Sequence, residues 1–472
     1  MVRVRRSISL PVAAVAFVAA GLLAVFAGAS SPAAATGVAS WVAAGTVTDS
    51  DQVTFSGDGV TFAPDGSGVL AWETYPDLET RAIATLAAES RVTRVTLASP
   101  LPAGATQVVA LDGAHAAIGG IEGGGANAAF AVKVIGPGGR SSAAVIPGAT
   151  QHLQSQVAVM AADGAGKIAV LGASGAQPVL TVCTVAGVCG RTATLAPPSG
   201  VLSVNGGQAQ GSGLAVAIGS DGSVVAAWIR NGILDARWRT PAGRLGPTQE
   251  LARVHAQVWL AAAVSASGSA ALVWESQDDK RMARPGPATS TTEAQATTAP
   301  PGGRFTATQT LASFPASNAT EGPGDVALSE PPVVAVAFDD DRPIAAWTGH
   351  NATGFTVRAA SLDHVGASVQ TLSPPGQSAT LGALAAAPKE GAVAAWLACD
   401  YNSQHVCSPR TLQAARAAPG QPFGPPSTLP GASYDFTFFS PDAVAAIDPA
   451  TGRPWVAATS TYSIDLFTDN AP

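Results

Sequence analysis

The residues of this chain that could do chemistry are few and mostly isolated. Four cysteines fall in two short runs, Cys183 and Cys189 in "CTVAGVC" and Cys399 and Cys407 in "CDYNSQHVC". Four thiols allow three connectivities, and the short spacings favour two local clips, 183 to 189 and 399 to 407. Zinc, the competing use, would want C-x2-C spacing or clustered histidines. The six histidines, His115, His152, His255, His350, His364 and His405, instead stand singly. Two acidic runs, "FDDDRP" (Asp339, Asp340, Asp341) and "ESQDDK" (Glu275, Asp278, Asp279), offer the carboxylate oxygens that Ca2+ takes. Neither alternates as D-x-D-x-D-G, and Asp at 339–341 suits a turn that caps its own backbone. No cofactor is expected. The serine-hydrolase elbow, the zinc-protease helix and the two glycine-rich nucleotide loops have no counterpart here, so no catalytic residue is assigned.

The elements that carry these residues form a repeat. "GLAVAIGSDGSVVAAWIR" (213 to 230) and "GVTFAPDGSGVLAWET" (59 to 74) share two short apolar runs hinged on Asp-Gly. Related hinges follow at Asp65, Asp112, Asp163, Asp221, Ser267, Asp340, Lys389 and Asp448, 46 to 73 residues apart. Apolar runs flanking a Gly-containing turn read as a hairpin. Two further strand-like runs follow in each full copy, for example "ILDARWRT" and "GRLGPTQELA", or "TLQAARAAPG" and "GPPSTLP". Four antiparallel strands repeated at a period near 50 make an all-β propeller of four-stranded blades. Eight copies predict eight blades, with seven the alternative if the weak second or third copy is not one.

Trp72, Trp228, Trp274, Trp347 and Trp396 each lie seven residues after the hinge position. Recurrence at one structural position points to a packing layer between blades; stacking on a sugar is the competing use. The last copy is one strand short, while "SWVAAGTVT" (40 to 48) is a strand without partners. Pairing the two closes the ring and leaves no exposed edge.

The N-terminus, "MVRVRRSISLPVAAVAFVAAGLLAVFAGASSPAAATG", orders Arg3, Arg5 and Arg6, an apolar run and Ala33-Ala34-Ala35 as a secretory signal does, so residues 1–35 are expected to be removed. An uncleaved anchor and twin-arginine export are the alternatives. The 25 Lys and Arg, less these three, leave 22 against 32 Asp and Glu, a charge of −10 on residues 36–472. That balance excludes nucleic acid, which needs a basic stripe. No second apolar run approaches spanning length, so no stable membrane insertion is expected after cleavage. The stretch 284–304, "RPGPATSTTEAQATTAPPGGR", is rich in Pro, Thr, Ser and Ala, and is expected to be a disordered loop within a single domain spanning 36–472.

The motif set, D-G-x-x-x-x-x-W between strand runs followed by "R-x-A...G...T-L", resembles the repeats of secreted actinobacterial β-propeller proteins. It is more distantly similar to the Asp-box sialidase and BNR-repeat superfamily, whose box runs S-x-D-x-G-x-x-W, whereas here Gly directly follows Asp65 and Asp221. The resemblance implies the propeller fold and, as an alternative function, a secreted glycoside hydrolase or lyase with an arginine cluster, a tyrosine nucleophile assisted by Glu, and an acid/base Asp. The four tyrosines, Tyr75, Tyr401, Tyr434 and Tyr462, have no sequence context that pairs them with Glu.

The hinge turns are short and alike, but the connections after the tryptophan strand differ from copy to copy. Such connections emerge on one face, where binding residues vary without disturbing the blades. The expected ligand surface is Tyr75, Asp77, Arg81, Asp278, His350, Asn351, Asp400, Tyr401, Asn402, His405 and Tyr462. The sequence therefore leads to an extracellular, monomeric, non-catalytic propeller that binds a glycan, a cell-envelope component or a protein.

Overall fold

The computed structural model describes residues 41–469, except 49–51, 55–58, 63–67, 76–79, 85–102, 113–114, 123–128, 136–140, 146–157, 175–176, 187, 198–212, 255–256, 278–290, 316–332, 352–353, 364–365, 367, 401–408 and 435–441. Every regular element among them is a β-strand. The strands form eight antiparallel sheets, one for each hinge in the sequence.

In blade 4 the order is plain: β14 (Leu214–Ile218), β15 (Val224–Arg230), β16 (Ile233–Arg239) and β17 (Gln249–Arg253) pair in sequence from the inside of the ring outwards. Blade 2 repeats it with β6 (Ala103–Asp112), β7 (His115–Glu122), β8 (Ala129–Ile135) and β9 (Ser141–Val145), and blade 3 with β10 (Ala158–Ala162), β11 (Lys167–Ser174), β12 (Gln177–Thr184) and β13 (Ala193–Thr194). Blade 5 comprises β18 (Gln257–Val264), β19 (Ala270–Gln277), β20 (Thr291–Ala299) and β21 (Gln309–Pro315). Blade 6 has β22 (Val334–Asp339), β23 (Arg342–Asn351), β24 (Gly354–Ser361) and β25 (Gln370–Thr371). Blade 7 has β26 (Ser378–Ala387), β27 (Gly391–Cys399), β28 (Arg410–Ala417) and β29 (Ser427–Tyr434).

Blades 1 and 8 depart from this scheme. In blade 1, β2 (Gln52–Thr54) and β3 (Val60–Phe62) both pair with the same side of β4 (Gly68–Tyr75), and β5 (Thr80–Ala84) with the other. Its inner strand is thus split, and its four strands make three rows. In blade 8, β30 (Ala443–Ile447), β31 (Pro454–Thr459) and β32 (Ser463–Asp469) are completed on the outside by β1 (Trp41–Thr48). The register runs Trp41 opposite Asp469 to Thr48 opposite Ser463. The strand nearest the N-terminus closes the ring, as the unpaired ends of the sequence predicted, and the weak second and third copies are true blades.

The core lies between blades. The second strand of each blade is covered on both faces, so β15 reads as an almost unbroken apolar run and is buried from Val224 to Ile229. Its alternate residues serve different neighbours. Trp228 joins Ile168 and Val170 of blade 3, while Val225 and Ala227 join Val258 and Leu272 of blade 5. Trp228, Trp274, Trp347 and Trp396 are completely buried, and Trp72 almost so. They fill the wedge between sheets that small Ala and Val residues allow to approach closely, which makes them packing residues rather than sugar platforms.

One expectation is overturned. Thr291–Ala299, inside the stretch read as a disordered loop, is the third strand of blade 5, paired with β19 along its length and with β21. Its composition misled because it lacks large apolar residues. The alternation of Ala294 and Ala296 with polar neighbours nevertheless buries one face, and alanine is the size that the gap against Trp347 admits. Cys183 and Cys189 form the expected clip across the turn after β12. Cys407, half of the other clip, lies outside the described residues, as do residues 1–40 with the expected signal. No described helix is long and apolar enough to cross a membrane.

Candidate functional site

Because each blade is a meander, the turns between first and second strands and between third and fourth strands share one end of the ring. The connections after the second strand share the other. At the hinge end several polar side chains are engaged through one of their oxygens, while Asp163 Oδ2 and Asp339 Oδ1 are buried without a partner. Asp163 Oδ1 accepts from the backbone N–H of Ala165 and Lys167, and Asp221 Oδ1 accepts from the N–H and Oγ of Ser223. Asp448 likewise accepts from Ala450 N–H and Thr451 Oγ1. These are the turn-capping bonds for which Asp is favoured at such positions.

Other bonds at this end tie neighbouring blades together. Arg237 donates to the Leu195 carbonyl at 2.7 Å, joining blade 4 to blade 3. Ser265 Oγ of blade 5 donates to Asp341 of blade 6 at 2.9 Å, and hydrogen bonds from Ser267 and Ser265 hold that carboxyl below its usual range. Asp339, 2% exposed, accepts from Gly420 N–H of blade 7 at 2.6 Å, and Arg416 of blade 7 pairs with Asp469 of blade 8 at 3.1 Å. The acidic run considered for Ca2+ is therefore divided among structural duties: Asp339 caps the next blade, Asp340 turns the hinge at φ 54°, and Asp341 accepts from serine hydroxyls. The second run is separated as well, since Glu275 is a strand residue at 1% exposure whereas Asp278 and Asp279 lie outside the described residues. Among the described residues no three His, Cys, Asp or Glu side chains converge on a metal position.

The expected ligand residues that are described belong to the other end. Tyr75 ends β4, His350 and Asn351 end β23, Asp400 follows β27 and is exposed, and Tyr462, 52% exposed, sits in the turn between β31 and β32. Arg81 lies on β5 opposite Trp72. Asp77, Asp278, Tyr401, Asn402 and His405 lie outside the described residues. Tyr434, opposite Arg410, comes to the same end but is buried rather than presented. It is 3% exposed on β29, and burial, with Asp465 beside it, pushes its hydroxyl far above the usual range, opposite to what a nucleophile needs.

A second pattern was not read from the sequence. The residue paired across the second and third strands with each of the five tryptophans is polar: Arg81, Asp235, Gln295, Arg358 and Gln413. In blades 5 and 7 the glutamine answers the indole, with Trp274 Nε1 donating to Gln295 at 2.8 Å and Trp396 Nε1 to Gln413 at 3.0 Å. In blade 4 Asp235 turns instead to Arg230 at 3.2 Å; burial raises its carboxyl while Arg230 lowers it. In blade 6 the tryptophan faces an arginine, and both Trp347 Nε1 and Arg358 Nε are buried without a partner. Glu275, one residue beyond Trp274, alternates with Ala271 and Val273 on the face toward blade 6 and also keeps Oε2 unpartnered. Burial pushes its carboxyl well above the ordinary range, so the proton is retained at pH values where an exposed glutamate has lost it. Sequence distance hides the pattern, since the partner follows its tryptophan by anything from 7 to 21 residues and only the register aligns them.

No protein-family model matches the chain, and no curated protein sequence does. Solved structures are similar at low identity. An ulvan lyase of polysaccharide lyase family PL25 is 8% identical over 82% of this chain and 96% of its own, with a TM-score of 0.43. Raptor from Chaetomium thermophilum is 9% identical over 92% of this chain and 30% of its own, at 0.42. TolB from Acinetobacter baumannii is 11% identical over 75% and 63%, at 0.33. Similarity at this level transfers neither activity nor ligand. The strand order and the closure of blade 8 by β1 themselves establish the architecture: the chain is a β-propeller of eight sheets.

Proposed function

We propose that the protein is an exported, non-catalytic binding module that recognises a cell-envelope glycan or protein with the end of the ring where the second strands finish. One observation supports this most: the hinge end is repetitive and its carboxylates and arginines are engaged within and between blades, whereas the residues that differ from blade to blade lie at the other end. A rigid ring presenting varied loops separates the stability of the scaffold from the choice of ligand. The Cys183 to Cys189 clip is consistent with an oxidising compartment.

The test is a pull-down against glycan arrays and fractionated cell envelope with the exported chain, a Tyr462→Ala, Asp400→Ala double variant, and an Asp340→Asn variant at the opposite end. Asn tolerates the left-handed backbone of Asp340, so that variant keeps its hinge. Loss of binding in the double variant and retention in Asp340→Asn is the expected result. Equal binding by all three, or binding to nothing in either screen, would remove the reading.

A further inference from the structure

The contact between blades 5 and 6 holds an arrangement that differs from the glutamine-answered tryptophans of blades 5 and 7. Trp347 on β23 and Arg358 on β24 are cross-strand partners on the face turned to blade 5, so two N–H donors stand where blades 5 and 7 place a donor against an acceptor. A buried N–H left without an acceptor costs about 1–3 kcal/mol, and more where the group is charged. Among the described residues Arg358 makes no ion pair and no hydrogen bond that would relieve this, and Trp347 is fully buried.

The strand face beside them lacks a side chain at one position. Gly349 lies two residues beyond Trp347 on the same strand face, and a Cβ there would stand 3.4 Å from Arg358 Nε and 3.6 Å from its Cζ. The guanidinium therefore lies across a position with no side chain, near the tip of the hairpin. Arg358 itself remains only half-buried and in reach of solvent.

From this we infer that Trp347 and Arg358 form a notch for a small oxyanion, a carboxylate or sulfate carried by a ligand, which accepts from the indole N–H and from the guanidinium together. Two fixed N–H donors, one of them charged, match two oxygens of such a group. The inference concerns the flank between two blades and does not depend on the loop-end reading above.

The experiment follows the indole signals of the full chain, labelled with 2H and 15N, by transverse-relaxation-optimised NMR. Sodium sulfate and sodium acetate are titrated in separate arms at constant ionic strength, with sodium chloride as the balance. Trp347→Phe assigns the signal. A saturable shift of Trp347 with either oxyanion, while the glutamine-bonded Trp274 and Trp396 stay still, supports the notch, and the two arms show whether planar or tetrahedral anions are preferred. Arg358→Gln installs the residue found at this register in blades 5 and 7, so it should fold, move the Trp347 signal toward those of Trp274 and Trp396, and abolish the titration. No saturable shift with either anion, which is what a site filled only by water would give, or an undiminished shift in Arg358→Gln, overturns the inference.

Discussion

The two ends of this ring are built by opposite rules. At the hinge end, Asp163, Asp221 and Asp448 close their own turns, and Ser265, Asp339, Arg237 and Arg416 reach across to neighbouring blades. At the connection end Tyr462 and Asp400 are exposed, and in the contact between blades 5 and 6 Glu275 Oε2, Trp347 Nε1 and Arg358 Nε are buried without partners. The difference teaches where a repeat protein can vary. Groups that join one blade to the next are constrained by both blades, whereas groups beyond the second strand can change without opening the ring.

Substitutions at the two ends and in the layer between them should therefore separate stability from binding. The largest effect belongs to the shared layer. Trp396→Ala, in the contact between blades 6 and 7, should cost about 3–5 kcal/mol in chemical denaturation, as expected for an aromatic removed from a packed core. A cost below about 1 kcal/mol would mean that the blades are not held by this layer.

Next comes a hinge. Gly391 has φ 83°, and a Cβ there would collide with the Ala417 carbonyl. Gly391→Ala should cost about 1–3 kcal/mol while leaving ligand capture unchanged. Lost capture at undiminished stability would mean that the hinge end, too, takes part in recognition.

The smallest effect is expected at Glu275 and depends on pH. Its folded-state carboxyl is raised by burial, so the folded chain holds a proton that the unfolded chain releases near the ordinary value of 4.5. The stability it contributes is present below that value and is lost as pH rises towards the folded pKa. Glu275→Gln keeps the neutral shape, so it should match the parent at pH 4 and become progressively more stable than it at higher pH. A pH-independent difference would place the carboxyl in contact with a charge or solvent.

Much of this molecule is written locally. The Asp-Gly hinges, the tryptophan seven residues after each and the solitary strand ahead of Asp65 specified eight blades and their closure, because hairpin chemistry and the need to cover sheet edges act within one copy or at the two ends. The strand Thr291–Ala299 was not legible in this way. Threonine and alanine without bulky residues resemble a linker, and only the narrow gap beside Trp347 makes alanine the fitting choice. The buried groups were less legible still. Glu275 reads as one acid among several until β19 carries it into the blade 5 and blade 6 contact, and Arg358 reads as a surface cation until the register sets it opposite Trp347. Sequence determined the repeat, because turns and alternation are short-range properties. Tertiary structure alone decided which polar groups lose water and which find partners, because that depends on residues brought together across strands and blades.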